Sequence, residues 1–471
     1  MNATPARITA RSFPTASERE AATYALPVPT DARRALTVGW LWLAVLSLLG
    51  SGLFSILLVL SRTPYVQNVF PWTDFFHTAL VVHVDLSVLV WFLAFGGVLW
   101  SLNSTAGGLV VGRVALYTAF AGAWIVAISP FTGPGHALMS NYVPVLQNTA
   151  FFTGLLVFGG GVLLLVLRGM TAIPPVGVAL DGAAALRFGL NTAAVATAMA
   201  ALAFAWTWAT MPSFLEGQAY YELLFWGGGH VLQFSYTLLM LVAWLWLGSA
   251  SGAPALVTPR LALFFFALGL VTVFVTPLFY YGHAVTSAEH IKLFTWQMRY
   301  GGGLATAPLG LAVLIGLLRA PRVDASARPL RAALAASVLL FGVGGVIGFL
   351  ISGSNVTIPA HYHGAIVGIT LAFMGLAYHL IPRLGGRPVD AKWATVQPWL
   401  YGIGQLLHVI GLVWSGGYGV QRKVAAAEQG LDALGKIAGM GLMGLGGLIA
   451  IAGGVLFLVL VLKSLPRRPD R

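Results

Sequence analysis

Ser354-Asn355-Val356-Thr357-Ile358-Pro359-Ala360-His361-Tyr362-His363-Gly364 opens an apolar run that continues to Ile381. A run of that length suits a membrane helix, so two histidines stand just inside one end of a span. Residues two apart on an α-helix are turned by roughly 200°. His361 and His363 therefore face opposite sides, and one helix can serve two separate cofactors. Imidazole is uncharged enough for a bilayer interior and basic enough to bind iron or copper. The competing reading of an isolated His-x-His is a pair of polar residues at the membrane interface. The positions of the other histidines decide between the two.

Composition narrows the class. With 58% hydrophobic and 8% charged residues over 471 positions, the chain is not a soluble domain of ordinary makeup. It has no Cys, which excludes disulfides, thiolate metal sites, iron–sulfur clusters and a covalent C-x-x-C-H haem. Any metal must be held by His, carboxylate or carbonyl oxygen.

Apolar runs predict an all-α membrane protein of twelve spans, at about 36–61, 76–101, 111–130, 148–168, 187–211, 219–248, 260–283, 296–318, 331–352, 359–382, 396–416 and 437–463. Residues 1–35 read as a cytoplasmic tail, 36–463 as the transmembrane domain and 464–471 as a second cytoplasmic tail. All but six of the 26 Lys and Arg fall in the tails or the even-numbered connections. That bias predicts both termini on the cytoplasmic side of a bacterial inner membrane. The formal charge of +12 is thus a topology signal against lipid, not a nucleic-acid footprint.

This topology brings five histidines to one depth, in the outer half of the bilayer. His83 comes early in the second span, His230 in the outer half of the sixth after Gly227-Gly228-Gly229, and His283 ends the seventh in Tyr280-Tyr281-Gly282-His283. His361 and His363 open the tenth. The triple glycine admits either a planar group or a packed helix. Arg422-Lys423, in the last outer loop, is either a solvated pair or a partner for cofactor carboxylates. His77 reads as interfacial, His136 as a loop residue, and His379 and His408 have no partner motif. His290, beside Glu289, reads as solvated in a short loop. Asp85 and Glu222 are acids in costly positions, suited to proton transfer or hydrogen bonding.

Together these residues resemble the catalytic subunit I of the haem–copper oxidase superfamily, over nearly the whole chain. The likeness rests on twelve spans, His on the second, Gly-His on the sixth and ending the seventh, Ala-His-Tyr-His opening the tenth, the basic pair, and the Tyr-Pro loop Met139-Ser140-Asn141-Tyr142-Val143-Pro144-Val145-Leu146. The resemblance implies His83 and His363 as axial ligands of a low-spin haem, and His361 as the proximal ligand of a high-spin haem. It implies His230 and His283 as ligands of copper or non-haem iron facing that haem, and Arg422 and Lys423 as propionate contacts. The haems are expected to be b-type.

Two departures bear on substrate. The second metal in this family usually has three His, two adjacent at the end of the seventh span, whereas here the sequence is Gly282-His283-Ala284. A further ligand is either missing or supplied by Gln233, Glu289 or His290. Oxygen reductases usually carry a Tyr near the metal, in many of them four residues after the sixth-span His; here that residue is Phe234. The absence favours reduction of NO to N2O over cytochrome oxidase-type reduction of O2 to water in a respiratory chain. Electrons are expected from a small partner subunit carrying haem c or copper. The competing classes are a twelve-helix transporter and a haem-binding subunit without turnover.

Overall fold

The computed structural model describes residues 23–66 and 75–466. Most of the expected first tail, and residues 467–471 of the second, lie outside the described residues. Within them, twelve helices are long and apolar enough to cross a bilayer: Ala32–Arg62, Phe76–Asn103, Leu109–Phe131, Thr149–Thr171, Gly182–Thr210, Gly217–Ala250, Pro259–Gly282, Ala288–Arg319, Arg328–Leu350, Thr357–Arg383, Ala391–Gly417 and Leu434–Ser464. They match the expected spans one for one.

One boundary moves enough to matter. The eighth helix starts at Ala288, where Ser287 caps it by accepting a hydrogen bond from the His290 amide at 3.2 Å. Glu289 and His290 therefore belong to its first turn, because a cap satisfies helix N–H groups that polar residues alone leave open. The expectation of a solvated His290 is corrected: its side chain is buried, at 3% exposure.

Burial orders the bundle. In the second helix 67% of the most apolar window is inside the protein, and in the sixth and tenth 89%, against 28–50% elsewhere. These three inner helices carry His83, His230, His361 and His363. Lipid tails give helices no hydrophobic reason to associate, so contact depends on small residues that let backbones approach. A Cβ on Gly364 would lie 2.6 Å from the Gly344 Cα, so the ninth and tenth helices touch backbone to backbone. Gly411 likewise meets the Met443 backbone of the twelfth helix.

The first and last helices reach the same end of the bundle, where Trp42 Nε1 donates to the Pro466 carbonyl at 3.3 Å. At the opposite end, two loops close over the histidines. One is a hairpin pairing Ala137–Leu138 antiparallel with Val145–Leu146. The other follows the eleventh helix and pairs with the start of the tenth, the Val356 amide donating to the Val420 carbonyl at 3.0 Å. The Lys423 ammonium joins the loops by donating to the Met139 carbonyl and, at 3.4 Å, to Asn141 Oδ1. The second helix widens to a π-helix over Asp85–Val90, just after His83. That turn loosens the regular ladder, and the His83 carbonyl accepts from the Ser87 hydroxyl at 2.6 Å and the Ser51 hydroxyl at 3.2 Å.

Candidate functional site

Beneath the two loops lies a cavity of about 1390 Å³, larger than the roughly 300–1,000 Å³ of a single small-ligand pocket. His83, His230, His361, His363, Gln233, Arg422 and Lys423 line it. His283, Glu289 and His290 do not. The structure thus brings four of the five expected histidines to one space and leaves the fifth outside.

Three of the four share one arrangement. His83 Nδ1 lies 3.0 Å from the Ser51 carbonyl, His361 Nδ1 2.7 Å from the Gly344 carbonyl, and His363 Nδ1 2.8 Å from the Pro359 carbonyl. A carbonyl only accepts, so each Nδ1 carries the proton and each Nε2 presents a lone pair. Donation from the distal nitrogen to a carbonyl is how iron-binding imidazoles are oriented. For His361 the approach of the ninth helix decides this. Gly344 brings its carbonyl within reach, and a Cβ on Gly348 would sit 2.7 Å from the His361 Nδ1. Gly302, Gly303, Gly342 and Gly345 also line the cavity, with nothing within 4 Å of where a Cβ would stand. These four glycines, on the eighth and ninth helices, add no side chains to the cavity wall.

Cations gather at the cavity, and one of them stands outside every motif in the sequence. Arg62, the last residue of the first helix, lines it with Nε and Nη2 buried and without a hydrogen-bond partner. A guanidinium placed so calls for a bidentate anion such as a carboxylate. Burial and the neighbouring Arg422 push the Lys423 ammonium down to about 8, against the pull of Glu222. Arg62, Arg422 and Lys423, with Arg299 as a fourth cation on this cavity, match the carboxylates of porphyrins better than a solvated pair does. His408 is also on the cavity, its ring 4.9 Å from that of His363 and its Nδ1 3.0 Å from the Met443 carbonyl. Arg62 comes in at the end of the first helix, and His408 on the eleventh, which packs against the tenth.

His230 is different. Its Nδ1 donates to the Trp226 carbonyl at 2.7 Å, and its Nε2 lies 2.9 Å from the Tyr142 hydroxyl. With the proton on Nδ1, Nε2 must accept from the phenol, so both ring nitrogens are engaged. The glycine run makes this possible: a Cβ on Gly229 would fall 2.3 Å from Tyr142 Cγ, on Gly228 2.3 Å from Phe204 Cδ1, and on Gly227 2.7 Å from the Tyr280 hydroxyl. The three glycines admit three aromatic side chains, neither a macrocycle nor a bare helix. Tyr142 holds φ +69°, a left-handed conformation that costs a non-glycine residue about 1–3 kcal/mol and persists only when neighbours enforce it. Glu222 is one such neighbour, accepting from the Asn141 amide at 2.9 Å and from the Asn141 side-chain amide. Burial and the Glu222 charge push the Tyr142 phenol above its usual range.

The far side of His230 is apolar. The Phe294 ring, fully buried, lies 6.3 Å from the His230 ring and 5.0 Å from that of His290. His283 is half-buried at the end of the seventh helix, its amide donating to the Phe279 carbonyl at 3.1 Å. Among the described residues no three His, Asp or Glu side chains converge as a metal site. The residues fit two haem irons; they do not fit a second metal at His230.

A family model described as cytochrome c and quinol oxidase polypeptide I matches residues 35–455. An uncharacterized protein of Rickettsia prowazekii (strain Madrid E) is 30% identical over 91% of this chain and 96% of its own length. One from Aquifex aeolicus (strain VF5) is 30% identical over 76% and 88%. Cytochrome c oxidase subunit 1 of Thermus thermophilus is 33% identical over 75 residues, 15% of this chain and 13% of that protein. A heme-copper terminal oxidase dimer solved by cryo-EM has the same fold, with a TM-score of 0.70 at 16% identity over 94% of this chain and 86% of the other.

Proposed function

The chain belongs to the cytochrome c and quinol oxidase polypeptide I family of haem–copper oxidoreductases, and from that premise we propose that it passes electrons between two haems to reduce a diatomic gas. The observation that carries this reading is that His83, His361 and His363 stand on one cavity, each with Nδ1 tied to a carbonyl and Nε2 free, an arrangement that His408 shares beside His363. His83 and His363 are the pair that would hold a six-coordinate iron, and His361 the single ligand of a five-coordinate one. When bound, haem supplies an iron that takes one electron at a time and, with one imidazole, a position open to a gas. The chain's own work is to fix the rings, offset carboxylate charge with Arg62, Arg422 and Lys423, and keep lipid and bulk water from the cavity. The excess of Lys and Arg at one end of the bundle supports a bacterial cytoplasmic membrane with both termini inside. A small partner carrying haem c or copper is the electron source expected, and any c-type haem or thiolate-held copper would sit on that partner, since this chain has no Cys.

NO is the first substrate reading, because Phe234 takes the place where oxygen reductases commonly carry Tyr. Two NO, two electrons and two protons give one N2O and one water, a balance that needs no tyrosyl electron. O2 is the second reading, favoured by the Tyr142 hydroxyl 2.9 Å from His230 Nε2, which brings a phenol to this cavity from another element. Gas electrodes with a reduced donor separate them. NO consumption well above O2 consumption is expected; rapid O2 reduction to water with slow NO turnover overturns the first reading. A purified protein without haem b bands on reduction would return the chain to the transporter class.

A further inference from the structure

We propose that the position of the family's second metal is taken in this chain by the His230–Tyr142 pair, and that the chain binds no second metal. The proposal rests on the haem reading above, since it concerns the groups that share a cavity with His361. Three independent observations carry it. First, His230 has no free lone pair: Nδ1–H is committed to the Trp226 carbonyl and Nε2 to the Tyr142 hydroxyl. Second, of the remaining expected ligands only the neutral amide of Gln233 is on the cavity; His283, Glu289 and His290 are off it, and the Phe294 ring packs against both the His230 and His290 rings. Third, the pair is built rather than incidental. Tyr142 is held in a left-handed conformation, its neighbour Asn141 is fixed through two hydrogen bonds by Glu222, and only the missing side chain at Gly229 gives the ring room.

The consequence is chemical. A neutral phenol–imidazole pair offers a bound diatomic a polar wall without a Lewis acid. With no second metal, the haem that His361 would hold is the one metal group this cavity would offer to the gas. Such a site takes a neutral diatomic ligand and no metal cation.

The test uses the purified, haem-loaded full chain from cells grown with ample copper and iron. Haem by pyridine haemochrome and total copper and iron by mass spectrometry should give iron equal to the haem and no stoichiometric copper. The infrared C–O stretch of the reduced CO form should shift in Tyr142→Phe and stay put in His283→Ala. One copper, or one non-haem iron, per chain overturns the proposal while leaving the haem reading intact. So does CO that moves onto copper after photolysis, or a C–O stretch that responds to His283→Ala and ignores Tyr142→Phe. A chain without haem overturns the haem reading and this inference with it. Metal content of the unaltered protein decides the matter even if Tyr142→Phe does not accumulate.

Discussion

The tenth helix and the junction of the seventh and eighth helices both present two histidines, and they present them in opposite ways. On the tenth, His361 and His363 each give one nitrogen to a carbonyl and hold the other toward the cavity. At the junction, His283 stops the seventh helix and lies off the cavity, while His290, in the first turn of the eighth, packs edge-on against Tyr280 and Phe294 with its Nδ1 buried and unpartnered. Residue type is the same and depth in the bundle comparable. The difference lies in what holds the distal nitrogen and in whether glycine or phenylalanine stands alongside: Gly344 and Gly348 beside His361, Phe294 beside His290.

The largest expected effect breaks the first region. His361→Ala should abolish CO binding in a reduced-plus-CO minus reduced spectrum while the other haem band persists, and His83→Ala should remove the low-spin band and spare CO binding. His283→Ala should leave both spectra unchanged and cost within about 0.5 kcal/mol of stability, as for a change away from any buried network. If His283→Ala instead removes CO binding, the two regions are one site and the contrast fails.

A smaller effect tests how Tyr142 is held. Glu222→Gln replaces one acceptor oxygen by a donor facing the Asn141 amides. Leaving such a donor unpaired costs about 1–3 kcal/mol, read as a lower melting temperature. The C–O stretch should move in the direction of Tyr142→Phe but less far. A drop in stability with no spectral change would mean that Glu222 fastens the loop without positioning the phenol.

These contrasts also mark what the sequence can tell. Twelve apolar runs are readable, and so is the gathering of His83, His230, His361 and His363, because span length and histidine position are local. The start of the eighth helix is not, because Glu289, His290 and Lys292 interrupt the hydropathy of a helix that Ser287 stabilises by capping. Arg62 and His408 carry no motif and acquire meaning only once the folded bundle places both on the cavity. Phe234 is legible in the sequence as a phenol missing from that position. That a phenol reaches His230 from residue 142 depends on a left-handed φ and on Gly229, two facts that no spacing rule joins.

The smallest expected effect concerns Lys423, which sits where the two loops meet and where a haem carboxylate is expected. Its neighbours are Arg422, Glu222 and the hydrogen-bonded Met139 and Asn141, while His77 Nε2 bonds to its carbonyl at 3.0 Å. With the native ammonium lowered to about 8 from the 10.5 of a free lysine, the unfolded chain holds more protons between those values. Stability therefore rises with pH through that window. Below it the cost of burying the charge is present in full; above it both states are neutral and the gain is complete. In protein made without haem, the melting temperature of the unaltered chain should thus climb relative to Lys423→Gln as pH rises from about 8 to 10.5. A haem carboxylate beside the ammonium would favour its charged form and flatten that climb. The same slope with and without haem would put the carboxylates elsewhere and leave Arg62 and Arg422 to meet them.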